Sequence, residues 1–144
     1  MNVEPFPSLD FERLLERLRV STADAPTITL SAEGRRYRVG DTLKLKVTGS
    51  NGAQPWLLDA YLVLRGPDGT LWMRDRDVLV PYRTGQWPAA AKDVPLRARA
   101  SFSTEMSLPL TVTTPGPHTW FLLLTSAATY RVVAESRVTF EVVP

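Results

Sequence analysis

The sequence predicts an all-β protein: an antiparallel β-sandwich of roughly seven or eight strands, preceded by one short amphipathic helix. Two observations predict this fold. From residue 27 onward, apolar and polar side chains alternate with a period of two, as in strands with one buried face. Turn signals rich in proline, glycine and aspartate recur about every eight to twelve residues. An up-and-down barrel is the alternative arrangement for the same pattern.

The composition is that of an ordinary globular domain, with 144 residues of which 44% are hydrophobic. We expect an N-terminal arm with the helix at residues 1–26 and the sandwich domain at residues 27–144. The absence of cysteine excludes disulfides, thiol nucleophiles and cysteine metal ligands. The formal net charge is only +2 and no run of lysine or arginine exceeds two residues. We therefore expect no nucleic-acid partner, because phosphate binding needs a concentrated basic patch.

Membrane insertion is not expected either. No stretch approaches the roughly 20 apolar residues that a membrane span requires, and the first residues lack the apolar run of a signal peptide. The location stays open among the cytoplasm, a virion, and export with the signal removed. The arginine-rich, amide-poor composition suits a thermophilic source and a GC-rich genome equally.

Residues 8–20, SLDFERLLERLRV, form the predicted helix. Its apolar residues recur at helical spacing and so share one face, opposite a charged face. They are Phe11, Leu14, Leu15 and Leu18. About three turns of helix are marginal in isolation. The apolar face must therefore pack on an open end of its own domain or on a neighbouring subunit.

The strands follow along the rest of the chain, separated by turns at Gly40-Asp41, at 66–69 and at 114–117. They are predicted at residues 27–31, 42–48, 57–65, 70–75, 96–104, 106–113, 118–126 and 136–143. The strand at 57–65 is apolar on both faces, as expected at the centre of a sheet. Residues 76–95 are predicted to be a long connection with a short edge strand at Val78–Val80.

Residues 64–82 hold several aspartates and arginines close together, which raises the question of a cation site. The sequence Gly-Pro-Asp-Gly at 66–69 supplies the residues of a type I turn between two apolar runs. The spacing of the aspartates does not match a calcium-binding loop. We predict a solvated hairpin end with weak cross-strand ion pairs and no metal site.

No catalytic residue and no cofactor is predicted. His118 is the only histidine, and we expect it in a surface loop beside the turn at 114–117. With no second histidine, a histidine-rich zinc site is excluded. Neither a glycine-rich phosphate loop nor a nucleophile elbow is present. We therefore expect a protein that is not an enzyme.

Three aromatic residues are the candidate contact residues, because they lie in proline-bearing loops: Trp56, Tyr82 and Trp87. Amphipathic rings of this kind are enriched at contacts. They could insert into a partner subunit, stack on sugar rings, or fold back over the edge of the core. Trp120 and Phe121, in an apolar strand, are expected in the core.

Three segments resemble bacterial immunoglobulin-like β-sandwich modules. They are YRVGDTLKLKV, DAYLVLRGPDGTLW and TPGPHTWFLLLT, within a likeness that covers roughly residues 27–143. The resemblance implies an immunoglobulin-like sandwich and a role as a spacer, an adhesive module or an assembly subunit.

We therefore expect a structural or interaction module, a subunit of a virion, filament or cell-envelope complex. Its partners would be protein subunits in a homo- or hetero-oligomer, contacted through the N-terminal arm and the aromatic loops. The alternative is a carbohydrate-binding or adhesive cell-surface module with a polysaccharide as its ligand.

Overall fold

A computed structural model describes residue 15, residues 25–82 and residues 87–144. Ten strands form within these residues. They are β1 (Thr27–Ala32), β2 (Arg36–Arg38), β3 (Thr42–Ser50), β4 (Trp56–Arg65), β5 (Leu71–Asp75), β6 (Val78–Pro81), β7 (Ala91–Leu96), β8 (Ser101–Pro109), β9 (Gly116–Ser126) and β10 (Val132–Val143). Among the described residues, only Leu15 has a helical backbone. The rest of the predicted helix lies outside the described residues.

The strands form two sheets. The small sheet has the order β1-β3-β8, and the large sheet has the order β2-β10-β9-β4-β5-β6 with β7 also paired to β4. All pairs are antiparallel except β2 with β10, which is parallel. The prediction of an all-β, sandwich-like fold is confirmed at this level. The described strands outnumber the predicted seven or eight, because short strands such as β2 carry too few residues to show a period.

The main core lies between the two sheets. It is built from the inward residues of alternating strands such as β3, whose Leu43, Leu45 and Val47 are all buried. The central strands β4 and β9 are buried on both faces. Their inward residues join this core, and their outward residues, such as Phe121, form a second apolar cluster on the outer face of the large sheet. This double burial explains why these two strands are the most apolar in the sequence.

The region from residue 96 to residue 113 differs from the prediction of two strands. A turn separates the end of β7 from β8, and β8 then pairs with β3 along its full length. The Asn51 side chain holds this turn, since its Nδ2 donates hydrogen bonds to the carbonyl oxygens of Arg97 at 2.8 Å and Leu96 at 3.4 Å. Arg99 adopts a φ of 60°, a turn conformation, so the alternation around it does not mark a strand.

Candidate functional site

A cavity of about 720 Å³ lies between the two sheets, where β8 faces β7 and the β5–β6 hairpin. Its walls are mostly apolar side chains from both sheets. The small sheet contributes Val47, Phe102 and Met106, and the large sheet contributes Leu58, Leu62, Leu122 and Leu124. Val94 lines the cavity and is 41% exposed, so apolar surface meets water here. The volume falls within the roughly 300–1,000 Å³ of small-molecule sites.

Small side chains at inward positions create this space. Ala60 is the smallest inward side chain of β4 and stands between Leu58 and Leu62. On β8, the inward Thr104 is exposed, whereas Leu108 further along the strand is 2% exposed. Packed sheets lie about 10 Å apart, and only large interdigitating side chains fill that gap. The core is therefore closed at the Leu108 end of β8 and open at the Thr104 end.

The pairing of β4 also opens the large sheet at this point. The end of β4 pairs with β5 from Val63 onward, while its beginning pairs with β7. The register with β7 shifts beside Asp59, whose Oδ1 accepts a hydrogen bond from the Asp93 N–H at 2.9 Å. Asp93 has a φ of 53°. This bulge places β7 as a separate wall of the cavity rather than as a continuation of the β5–β6 hairpin.

Arg74 is the cationic group among the described residues that line the cavity. It follows Trp72 on the inward face of β5, and its side chain is 16% exposed. Nη1 lies 3.4 Å from the Met106 sulfur, and Nη2 lies 3.8 Å from Oδ1 of Asp77, whose side chain is 93% exposed. Nε is buried and has no hydrogen-bond partner among the described residues. The guanidinium therefore lines a mostly apolar cavity, and its contacts among the described residues are a thioether and one long ion pair.

Two carboxylates also line the cavity, Asp77 and Glu105. Asp77 stands in the β5–β6 turn in contact with water. Glu105 lies on β8 directly opposite Lys46 of β3, so a charge of opposite sign faces it across the strand pair. Asp77 forms a long ion pair with Arg74 at 3.8 Å, and no shorter ion pair to Arg74 is present among the described residues.

The structure brings together two of the three predicted aromatic contact residues. Tyr82 and Trp87 pack edge to face with ring centroids 6.0 Å apart, and Trp87 packs in the same way on Tyr61 at 5.7 Å. All three rings join the apolar cluster on the outer face of the large sheet. Burial raises the pKa of the Tyr61 and Tyr82 hydroxyls. Trp56 is the first residue of β4, where it pairs with Leu96, and not part of a loop as its proline-bearing context predicted.

Of the predicted helical contact residues, only Leu15 is described. Its side chain is 1% exposed and packs in the outer-face cluster with Val63, Met73 and Phe121. This contact is made within its own chain. The other three candidates, Phe11, Leu14 and Leu18, lie outside the described residues.

His118 is not in a surface loop, and that prediction is wrong. It lies in β9, is 1% exposed, and stacks on Phe140 with ring centroids 5.6 Å apart. Its Nδ1 lies 2.9 Å from the Gly116 carbonyl oxygen. β9 begins at Gly116, within the predicted turn, so His118 is already the third residue of the strand and is buried in the sandwich. A smaller pocket of about 140 Å³ lies beside this ring and the 66–69 turn.

The aspartate of the 66–69 turn has a structural role. Asp68 Oδ1 accepts a hydrogen bond from the Thr70 N–H at 3.0 Å, and this bond lowers the pKa of the Asp68 carboxyl. The backbone closes the turn with a bond from the Gly69 N–H to the Gly66 carbonyl oxygen at 3.1 Å. The turn prediction for these residues is confirmed.

The sequence reasoning missed Arg74 and the cavity. The charged residues around Arg74 predict a solvated hairpin end, and this prediction is wrong for Arg74, whose side chain is 16% exposed. A signal was present, since Arg74 is two residues after Trp72 and so shares its face. That face is recognised as inward only when Leu71 and Met73 are known to pack on the outer cluster.

Two properties hold for the part of the chain that the structure describes. It contains no group of three or more histidine, aspartate or glutamate side chains placed to hold a metal ion. It also contains no helix with the length and apolar character needed to cross a membrane.

No protein-family model matches the chain, and no curated protein is significantly similar to it. Solved structures do resemble it. A CARDB domain from Pyrococcus furiosus, crystallised with di-metal ions, is 13% identical with a TM-score of 0.53, over 86% of this chain and 93% of that one. A Niemann-Pick type C2 protein from the Japanese carpenter ant is 7% identical with a TM-score of 0.55, over 85% and 96%. The Pseudomonas fluorescens alkylpurine DNA glycosylase AlkC is 15% identical with a TM-score of 0.56, over 84% of this chain and 31% of that one. At these identities the likeness shows the fold alone.

Proposed function

We propose that this chain is a non-enzymatic binding module that holds a small, largely apolar molecule between its two sheets. The observation that carries the proposal is the cavity of about 720 Å³ lined by side chains such as Leu62, Phe102 and Leu122. Water next to such walls is displaced favourably by an apolar ligand. A few polar groups at the rim, Arg74 among them, would fix the orientation of that ligand, as is usual for sites of this size.

The sandwich is, on this proposal, of the immunoglobulin-like kind. Its two mainly antiparallel sheets and its likeness in fold to the CARDB domain support that finer assignment. A fold of this kind hosts many unrelated functions, so the proposal rests on the cavity itself.

Binding of a neutral environment-sensitive dye tests the proposal. N-phenyl-1-naphthylamine is expected to gain fluorescence and shift to the blue when it enters the cavity. The variant Thr104→Trp places an indole at the open end of the cavity and is expected to weaken dye binding by at least ten-fold. The matched control is Ser103→Trp, which places the same ring one residue earlier, on the opposite face of β8.

Thr104 and Ser103 are both exposed, so both variants should fold, which circular dichroism verifies. No dye binding by the wild type, or equal binding by the Thr104→Trp and Ser103→Trp variants, would exclude the cavity as a binding site.

A second candidate function is assembly with other protein subunits. It is supported by β8, a nine-residue edge strand that pairs only with β3 among the described residues. Unpaired strand edges are templates for an added strand from another chain. Light scattering after gel filtration tests this function. An oligomer that becomes a monomer in the double variant Ser103→Lys/Ser107→Lys supports it, and a wild-type monomer at high concentration argues against it.

The sugar-binding alternative has less geometric support. The Trp87 ring packs against the rings of Tyr82 and Tyr61, which reduces the ring surface left for stacking on a sugar. It stays a prediction, tested by retention on polysaccharide beads with and without Trp56→Ala.

A further inference from the structure

The position of Arg74 in the cavity indicates which chemical class of ligand the cavity binds. We infer that the cavity binds a long-chain carboxylic acid, with the carboxylate on the Arg74 guanidinium and the apolar chain between the sheets. This inference rests on the proposed function, because it assigns a ligand to the same cavity.

The first step is that Arg74 lacks strong acceptors. A guanidinium carries five N–H donors and accepts no hydrogen bond. Here one terminal nitrogen faces a thioether, which is a weak acceptor, and another faces the exposed Asp77 at 3.8 Å. Nε has no partner among the described residues although it is buried. A mostly buried guanidinium with one unpaired donor and only these two contacts is poorly satisfied, and a further acceptor in the cavity would be favourable.

The second step is that a carboxylate has the geometry to satisfy these donors. Its two oxygens accept two parallel N–H bonds from a guanidinium, for example from the two terminal nitrogens. Such charge-assisted hydrogen bonds are stronger than hydrogen bonds between neutral groups, and an apolar environment strengthens them further. Arg74 also stands at the β5–β6 hairpin, beside the exposed Asp77, so the acid group would lie towards solvent while the chain extends inward along Leu62 and Leu122.

The third step concerns charge. Among the described residues that line the cavity, Arg74 is the cation and Asp77 and Glu105 are the acids. A carboxylate would bring one negative charge to Arg74, which already shares a long ion pair with Asp77 at 3.8 Å. A phosphate monoester carries about −1.5 to −2 at neutral pH, and its excess charge would face these two acids. The balance therefore favours a carboxylate.

The fourth step concerns size. If each heavy atom takes up about the 30 Å³ that water occupies in the liquid, a cavity of about 720 Å³ holds on the order of 20 heavy atoms. A saturated acid of roughly twelve to eighteen carbons fits within that volume.

Calorimetric titration of the full chain with dodecanoate, dodecanol and dodecyl phosphate tests the inference. The wild type is expected to prefer dodecanoate to the other two. The variant Arg74→Met keeps an apolar stem and removes the charge, and it is expected to weaken dodecanoate binding about 10- to 100-fold. Dodecanol and the neutral dye should bind this variant within about two-fold of the wild type. The matched control, Arg76→Met in the exposed turn of the same hairpin, should leave dodecanoate binding unchanged.

Three results would overturn the assignment: equal wild-type affinity for dodecanoate and dodecanol, tighter binding of dodecyl phosphate than of dodecanoate, or equal weakening of acid and alcohol by Arg74→Met. If the dye still binds the cavity in those cases, the binding-module proposal stands and only the ligand class is wrong. If neither the dye nor any dodecyl compound binds, both proposals fail together.

Discussion

Replacing Arg74 by methionine should stabilise the ligand-free protein. The Arg74 side chain is 16% exposed and lies against the thioether of Met106, an apolar neighbour for the new methionine. The variant removes a charge whose contacts among the described residues are a thioether and a long ion pair, and it leaves an apolar side chain against an apolar wall. Binding sites commonly carry such locally unfavourable groups, so their removal improves stability at the expense of function.

The magnitude follows from two opposing contributions. A buried donor without a partner costs about 1–3 kcal/mol. The substitution removes that cost because methionine has no group in place of the unpaired Nε–H. The ion pair with Asp77 is lost, but it is long and its carboxylate is 93% exposed, so it contributes about 0–1 kcal/mol at most. The expected net gain in the free energy of unfolding is about 1–2 kcal/mol. For a chain of this size that gain corresponds to a rise in Tm of roughly 3–8 °C.

Urea denaturation followed by circular dichroism measures this change directly. The slope against urea should stay constant, so that a shift of the midpoint reports stability alone. Arg76→Met is the control and should lie within about 0.5 kcal/mol of the wild type. A loss of 1 kcal/mol or more in Arg74→Met would refute the reasoning, because it would mean that the guanidinium stabilises the apo fold.

Three further predictions concern close contacts that hold the fold. Asn51→Ala removes the amide that bonds the turn before β8, and should lower the free energy of unfolding by about 2 kcal/mol; an unchanged urea midpoint would contradict this role. Gly49→Ala brings a methyl group against the Thr27 carbonyl oxygen of the neighbouring strand, and should cost about 1–3 kcal/mol in the same assay. Asp68 has a folded pKa below its ordinary value because it accepts a bond from Thr70. Its contribution to stability is therefore present above about pH 4 and is lost as the pH falls through the folded pKa. When the pH is lowered from 6 to 2, the free energy of unfolding should fall less in Asp68→Asn than in the wild type. An equal fall in both proteins would argue against the bond.

Much of the fold follows from local patterns. The alternation in β3 identified Leu43, Leu45 and Val47 as one face, and all three are buried. The Gly-Pro-Asp-Gly turn formed where its residues indicated. The short edge strand expected at Val78–Val80 is β6. These features depend on neighbours within a few residues, so the sequence contains the information that decides them.

The candidate site depends on relations that the sequence does not show. The cavity needs two strands from different sheets, β7 and β8, to stand apart, and that distance depends on Asp93 bulging towards Asp59 and on Asn51 holding the turn between the strands. Both are contacts between residues more than 30 positions apart.

The sequence by itself determined that the chain alternates in and out and folds into layered β-structure, because the period of two is a property of the extended backbone. Only the tertiary structure decided which face points inward where both faces are covered. Outside packing on Leu71 and Met73 turns the other face of β5 inward and carries Arg74 with it. The physical reason is that a strand specifies two faces, while the layers packed on it specify which of them meets the interior.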